Sequence, residues 1–194
     1  MSRQDQTPAP DETGHTPRRR IATIIGIAVL AGFVAWFATS SNREGGNPIL
    51  GTASGDPRML ERAEVETVSD EIGHTVFWAG ERPDTGIELR HDASGNTHVR
   101  YLTGGAQPGD PAPAYLDIGT YPFKDGYEVT SAMAAEDGLK RVKVGDAVGF
   151  YDPQRPTNIY LGFPDRPDFQ VEVFHPEADG ALEVVRSGDI VPMP

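Results

Sequence analysis

The stretch Ile21 to Ala38, IATIIGIAVLAGFVAWFA, constrains this chain more than any other. It is 18 residues long, carries no charge and holds nothing more polar than Thr23. As a helix rising about 1.5 Å per residue it spans about 27 Å, close to the thickness of a bilayer's hydrocarbon core. A helix buried in a soluble protein usually keeps a polar stripe, and this one has none. Arg18, Arg19 and Arg20 abut its N-terminal end, whereas Thr39 to Asn42 carry no charge. Cationic flanks stay in the cytoplasm, so the three arginines orient the N-terminus inward. Trp36 lies near the far end, where an amphipathic ring favours the interface.

These features predict a disordered cytoplasmic tail over 1–20, a transmembrane helix over 21–39, a flexible linker over 40–55 and an extracytoplasmic domain over 56–194. The tail holds three prolines and almost no apolar residue before the arginines, so it has nothing to bury. Two other readings of the apolar run compete with the anchor. A cleavable export signal can use Ala38-Thr39-Ser40, but its apolar core is normally only about 7–15 residues. A twin-arginine signal is poorly served by Ile21-Ala22-Thr23 after the arginines. Ala22 and Gly26, and Ala28 and Gly32, are spaced as small pairs that let two membrane helices approach closely.

The net charge is −12. From Val65 onward, 22 acids stand against 10 bases, so the whole excess sits in the outer region. Phosphate binding needs a cationic surface, and nucleic acid is therefore not an expected partner. The chain has no cysteine, which removes disulfides, thiolate metal sites and thiol catalysis.

Local patterns in the outer region predict an α+β domain, a mainly antiparallel sheet with two or three helices covering one face. Asp56, Pro57 and Gly73 fit the cap, first turn and stop of an opening helix. Thr75 to Trp78, Gly86 to His91, Thr97 to Leu102 and Leu116 to Tyr121 read as strands. Asp125 to Gly138 reads as a helix with Glu128 in a box-like arrangement. Short strands follow at Leu139 to Val144 and Ala147 to Tyr151. Asn158 to Phe163 and Phe169 to Phe174 alternate clearly, with Ile159, Leu161, Phe163, Phe169, Val171 and Val173 inward. Ala181 to Ser187 fits a helix ended by Gly188 or a strand.

The Gly86–Leu102 hairpin turns through Asp92-Ala-Ser-Gly-Asn96. Pairing His91 with Val99 places Ile87, Leu89, Val99 and Tyr101 on one face, and Arg90 opposite Arg100 on the other. Two facing arginines in so acidic a domain offer a site for a small anion or an acidic loop; neutralisation by Glu88 and other acids is the competing reading.

Other chemistry is weakly signalled. His74, His91, His98 and His175 form no HExxH or HxH, and His91 and His98 fall on opposite faces, so no metal site is expected. Asp92-x-Ser94-x-Asn96 resembles the start of a calcium loop, but Thr103 occupies the twelfth position where a glutamate is needed. No GxSxG, SxxK or phosphate loop occurs, and no cofactor is expected. Aromatic residues such as Trp78, Tyr101, Tyr121 and Tyr160 stand at strand spacing, which favours core over ligand groove.

The segments TVFWAGERPDTGIELR, VRYL and PTNIYLGFPDRPDFQVEVFHP, within Thr75 to Gly188, resemble uncharacterised single-pass envelope proteins of high-GC Gram-positive bacteria. The resemblance implies the anchored topology and brings no activity, cofactor or catalytic residue. The expectation is an integral protein of the cytoplasmic membrane whose outer domain is an interaction or binding module with a protein partner. The alternatives are an accessory subunit acting partly through its membrane helix, and an anchored envelope enzyme.

Overall fold

A computed structural model describes residues 55–194. The stretch expected to cross the membrane, with Arg18, Arg19, Arg20 and Trp36, lies outside the described residues, as do the expected tail and all of the expected linker except Gly55. Among the described residues no helix is long and apolar enough to cross a membrane.

The chain forms β1 (Gly55–Leu60), α1 (Arg62–Val65), α2 (Val68–Ile72), β2 (Phe77–Trp78), β3 (Gly86–His91), β4 (Thr97–Leu102) and β5 (Leu116–Pro122). It continues with α3 (Gly126–Met133), β6 (Lys140–Val144), β7 (Ala147–Tyr151), β8 (Asn158–Phe163), β9 (Arg166–Phe174), α4 (Gly180–Ser187) and β10 (Val191–Pro192). Eight strands make one sheet in the order β1-β3-β4-β5-β9-β8-β7-β6, every neighbouring pair antiparallel. The α+β expectation with an antiparallel sheet therefore holds. After β5 the chain crosses through α3 to the far edge, then returns by three hairpins to lay β9 beside β5. β2 and β10 pair separately.

One face of the sheet is apolar. Val99, Ile118, Ile159, Val171 and Val173 are wholly buried there, with Leu89, Tyr101 and Leu161 nearly so. Burying each aliphatic side chain contributes about 1.5–3 kcal/mol. Val65 and Val68 from the opening helices, Phe77 from β2, and Ala181, Val184 and Val185 from α4 complete this core. The opposite face carries α3 over β7, β8 and β9, around Ala134, Val148, Phe150 and Tyr160. The helices thus flank both faces, not one.

Three local expectations are corrected. Residues 56–73 are not one helix: Asp56 and Pro57 lie in edge strand β1, whose register with β3 breaks between Gly55 and Arg58. A proline lacks the donor a ladder needs, and an irregular edge strand tolerates it. Gly73 does end α2, with φ +86. Second, α3 stops at Met133, short of Gly138, and Asp125 precedes it in the left-handed region with no side-chain cap. Third, the β3–β4 register is shifted by two residues: Leu89 pairs with Val99, Glu88 with Arg100 and Arg90 with His98. The faces assigned from the sequence survive, because a two-residue shift preserves side-chain direction. The facing arginine pair does not.

Candidate functional site

The unusual feature of the sheet is the polar half of its second face. Strands β3, β4, β5, β9 and β8 direct Glu88, Arg100, His98, Asp117, Glu172 and Asn158 there, and all but Asn158 are buried. Buried charges are costly unless paired and hydrogen-bonded. Two connected arrangements meet that requirement.

The first lies between β3 and β4. Arg100 Nη1 donates to Glu88 Oε1 at 2.9 Å, with side-chain exposures of 10% and 1%. Arg100 Nη2 donates to the carbonyls of Asp110 at 2.9 Å and Ala112 at 3.1 Å. Gly109 N donates to Glu88 Oε2 at 2.6 Å. The Gly/Pro-rich segment 103–115 therefore folds over the strand pair and is fastened by it. Tyr115 covers the guanidinium, 5.1 Å from its ring centre, and donates its hydroxyl to Asp110. Arg90, the other arginine singled out from the sequence, lies on the same face, in register with His98.

The second arrangement crosses β4, β5, β9 and β8. His98 Nδ1 meets the Asp117 carboxylate at 3.1–3.2 Å. Gly119 stands between His98 and Glu172 in the ladder. A Cβ at Gly119 would lie 2.8 Å from the Tyr121 ring, so glycine makes room for Tyr121 to fold back across the strand. The Tyr121 hydroxyl donates to Glu172 Oε2 at 2.9 Å, and Asn158 Nδ2 donates to Oε1 at 2.7 Å. Beside them Gln170 Nε2 donates to Thr130 of α3 at 3.0 Å.

Environment shifts the titrations in physically consistent directions. Burial opposes the charged form of His98, but the charge and hydrogen bond of Asp117, with Glu172 nearby, outweigh it and hold the imidazole above its usual value. Burial raises the Glu172 carboxyl; donation from Asn158, Tyr121 and Tyr160 and the charge of His98 offset only part of this. Burial, then Glu172, raises the Tyr121 phenol. A proton is therefore held more firmly here than on free side chains, and the groups able to do acid–base work are already bonded to one another.

The other candidates resolve into local structure. Asp92 Oδ1 accepts from the backbone of Ser94 and Asn96, and Oδ2 from the Asn96 amide, an Asx turn that closes the hairpin. His74 and His91 approach in an edge-to-face contact with 6.2 Å between ring centres. Among the described residues no cluster of three or more His, Asp or Glu side chains is arranged to hold a metal. Tyr101 is core, its phenol pushed up to about 12, chiefly by burial; its hydroxyl accepts from Ala79 N and donates to the Gly80 carbonyl.

The sequence marks Arg100 and offers Glu88 as an acid that neutralises it, as the ion pair between them shows. It does not place the two directly opposite one another, because that pairing exists only in the shifted register. Asp117 and Glu172 sit in strands whose alternation marks them as outward-facing. No protein-family model, no curated protein and no solved structure matches the chain.

Proposed function

We propose that this chain is a membrane-anchored module of the cytoplasmic membrane, whose outer domain works by contact with another protein. The mutual engagement of the buried polar groups carries this reading. Arg100 is occupied by Glu88 and two carbonyls, Glu172 by Tyr121 and Asn158, and His98 by Asp117. Catalysis needs such groups aimed at a substrate; here they fasten strands and a long loop into a rigid surface. The charge-free Ile21–Ala38 run and its three arginines support the anchor and its orientation.

Crosslinking of the full chain in intact cells tests the proposal. Reproducible adducts between the outer domain and a protein of the membrane or envelope are expected. Capture of nothing, together with turnover of an envelope substrate by the purified chain, refutes it. The small-residue pairs Ala22/Gly26 and Ala28/Gly32 favour a second reading, an accessory subunit that contacts its partner through the membrane helix. Replacing 21–38 with an unrelated apolar helix separates the two: retained function excludes the second, and lost function with correct insertion excludes the first.

A further inference from the structure

The sheet ends on two very different edges. β1 carries Pro57 and a register break, and Arg58 is tied to Glu64 and Glu71. Both devices discourage another strand from pairing there. β6 is the opposite: five residues in unbroken register with β7, from Lys140 against Tyr151 to Val144 against Ala147. No proline or bulge interrupts it, and no described strand covers its outer side.

That open edge reads Lys-Arg-Val-Lys-Val, with Lys140, Arg141 and Lys143 exposed. It concentrates cations in a domain where residues 55–194 carry 25 acids against 12 bases. Elsewhere the arginines at 58, 62, 82, 100, 155 and 166 each meet a carboxylate. Among the described residues no ion pair or hydrogen bond engages the side chains of Lys140, Arg141 or Lys143. The acids nearest in sequence, Glu136, Asp137 and Asp146, lie beyond the ends of the strand.

We infer that β6 is a docking edge for an extended acidic segment of a partner protein, which adds to the sheet as a ninth strand. The inference rests on the interaction reading above and names the surface and the partner chemistry. Alternate residues of an edge strand direct their N–H and C=O groups outward, and an added strand satisfies them. Arg141 and Lys143 point to the α3 side and Lys140 to the other, since strand side chains alternate. An incoming strand with acidic residues thus meets cations on both of its faces. A planar anionic lipid surface would engage one side only. A second β6 from another copy would bring like charges together, so the same cations reject self-pairing.

The test uses the full chain in detergent and a synthetic peptide of Glu-Glu-Thr-Thr repeats, which carries glutamate on both strand faces, followed by hydrogen exchange at residues 140–144 and by fluorescence anisotropy. Slower exchange across β6 and saturable binding are expected. Arg141→Glu with Lys143→Glu is expected to weaken binding about tenfold, as two lost cross-strand charge pairs and two new repulsions imply. Backbone N-methylation of the peptide is expected to abolish binding. Exchange on the unsubstituted chain supplies an answer even if the double variant misfolds. Absent binding, equal binding of the N-methylated peptide, or protection of β6 by phosphatidylglycerol vesicles but not by the peptide overturns the proposal. Cellular crosslinks confined to other surfaces also overturn this site, while leaving the module reading in place.

Discussion

Replacing Arg100 by methionine removes the guanidinium but keeps most of the apolar stem. Glu88, with its side chain 1% exposed, then loses its counter-charge and keeps only the donation from Gly109. The carbonyls of Asp110 and Ala112 lose their donor as well. Breaking a buried pair from one side costs about 3–5 kcal/mol, because a charge remains buried without compensation. For a domain of this size that lowers the thermal midpoint by about 10–15 °C. Replacing both partners, Glu88→Leu with Arg100→Met, removes the stranded charge and is expected to recover most of the loss. The assay is thermal and urea unfolding of the full chain in detergent, followed by Trp78 fluorescence after Trp36→Phe. A single variant within about 1 kcal/mol of the parent, or a double variant no better than the single, would refute the structural role assigned to this pair.

Three further outcomes follow from the second arrangement. Because the folded value of His98 is raised above 6.5, its contribution to stability is complete below 6.5 and fades as pH rises through the folded value. His98→Gln is expected to flatten that part of the stability-versus-pH curve; an unchanged slope in parallel melts would exclude it as the source. Gly119→Ala places a methyl 2.8 Å from the Tyr121 ring and is expected to cost about 1–3 kcal/mol in urea unfolding. Tyr121→Phe leaves Glu172 short of one donor and is expected to cost a similar amount, about 1–3 kcal/mol; if the two costs add fully in the double variant, the glycine is not there to place the tyrosine.

Much of the sheet was legible in the sequence, for a clear reason. Ile159, Leu161, Val171 and Val173 face one apolar core, so their alternation reports their direction faithfully. The same periodicity explains the register error at β3–β4. A pattern of period two fixes which face a residue occupies, but a shift of two residues leaves it unchanged, so partners must be settled by turn geometry. Here the Asx turn at Asp92 supplies that geometry. Asp56-Pro57 misled because the same pair suits a helix start and an irregular edge strand. The polar network was hidden for a different reason. Glu88, Asp117 and Glu172 alternate with apolar residues as solvent-facing positions do, yet the 103–115 segment closes over Glu88, His98 engages Asp117, and Tyr121, Asn158 and Tyr160 enclose Glu172. Such cover is a tertiary event without a local signature.

The absence of cysteine throughout the chain permits a direct test of where the protein works. Single cysteines at Thr7 and at Asp165, an exposed turn residue, are treated with a membrane-impermeant maleimide in intact cells and again after lysis. Labelling of Asp165→Cys in intact cells, with Thr7→Cys reacting only after lysis, is the result expected of an anchored domain facing outward. Labelling of Thr7→Cys alone in intact cells, or of neither until lysis, would contradict it.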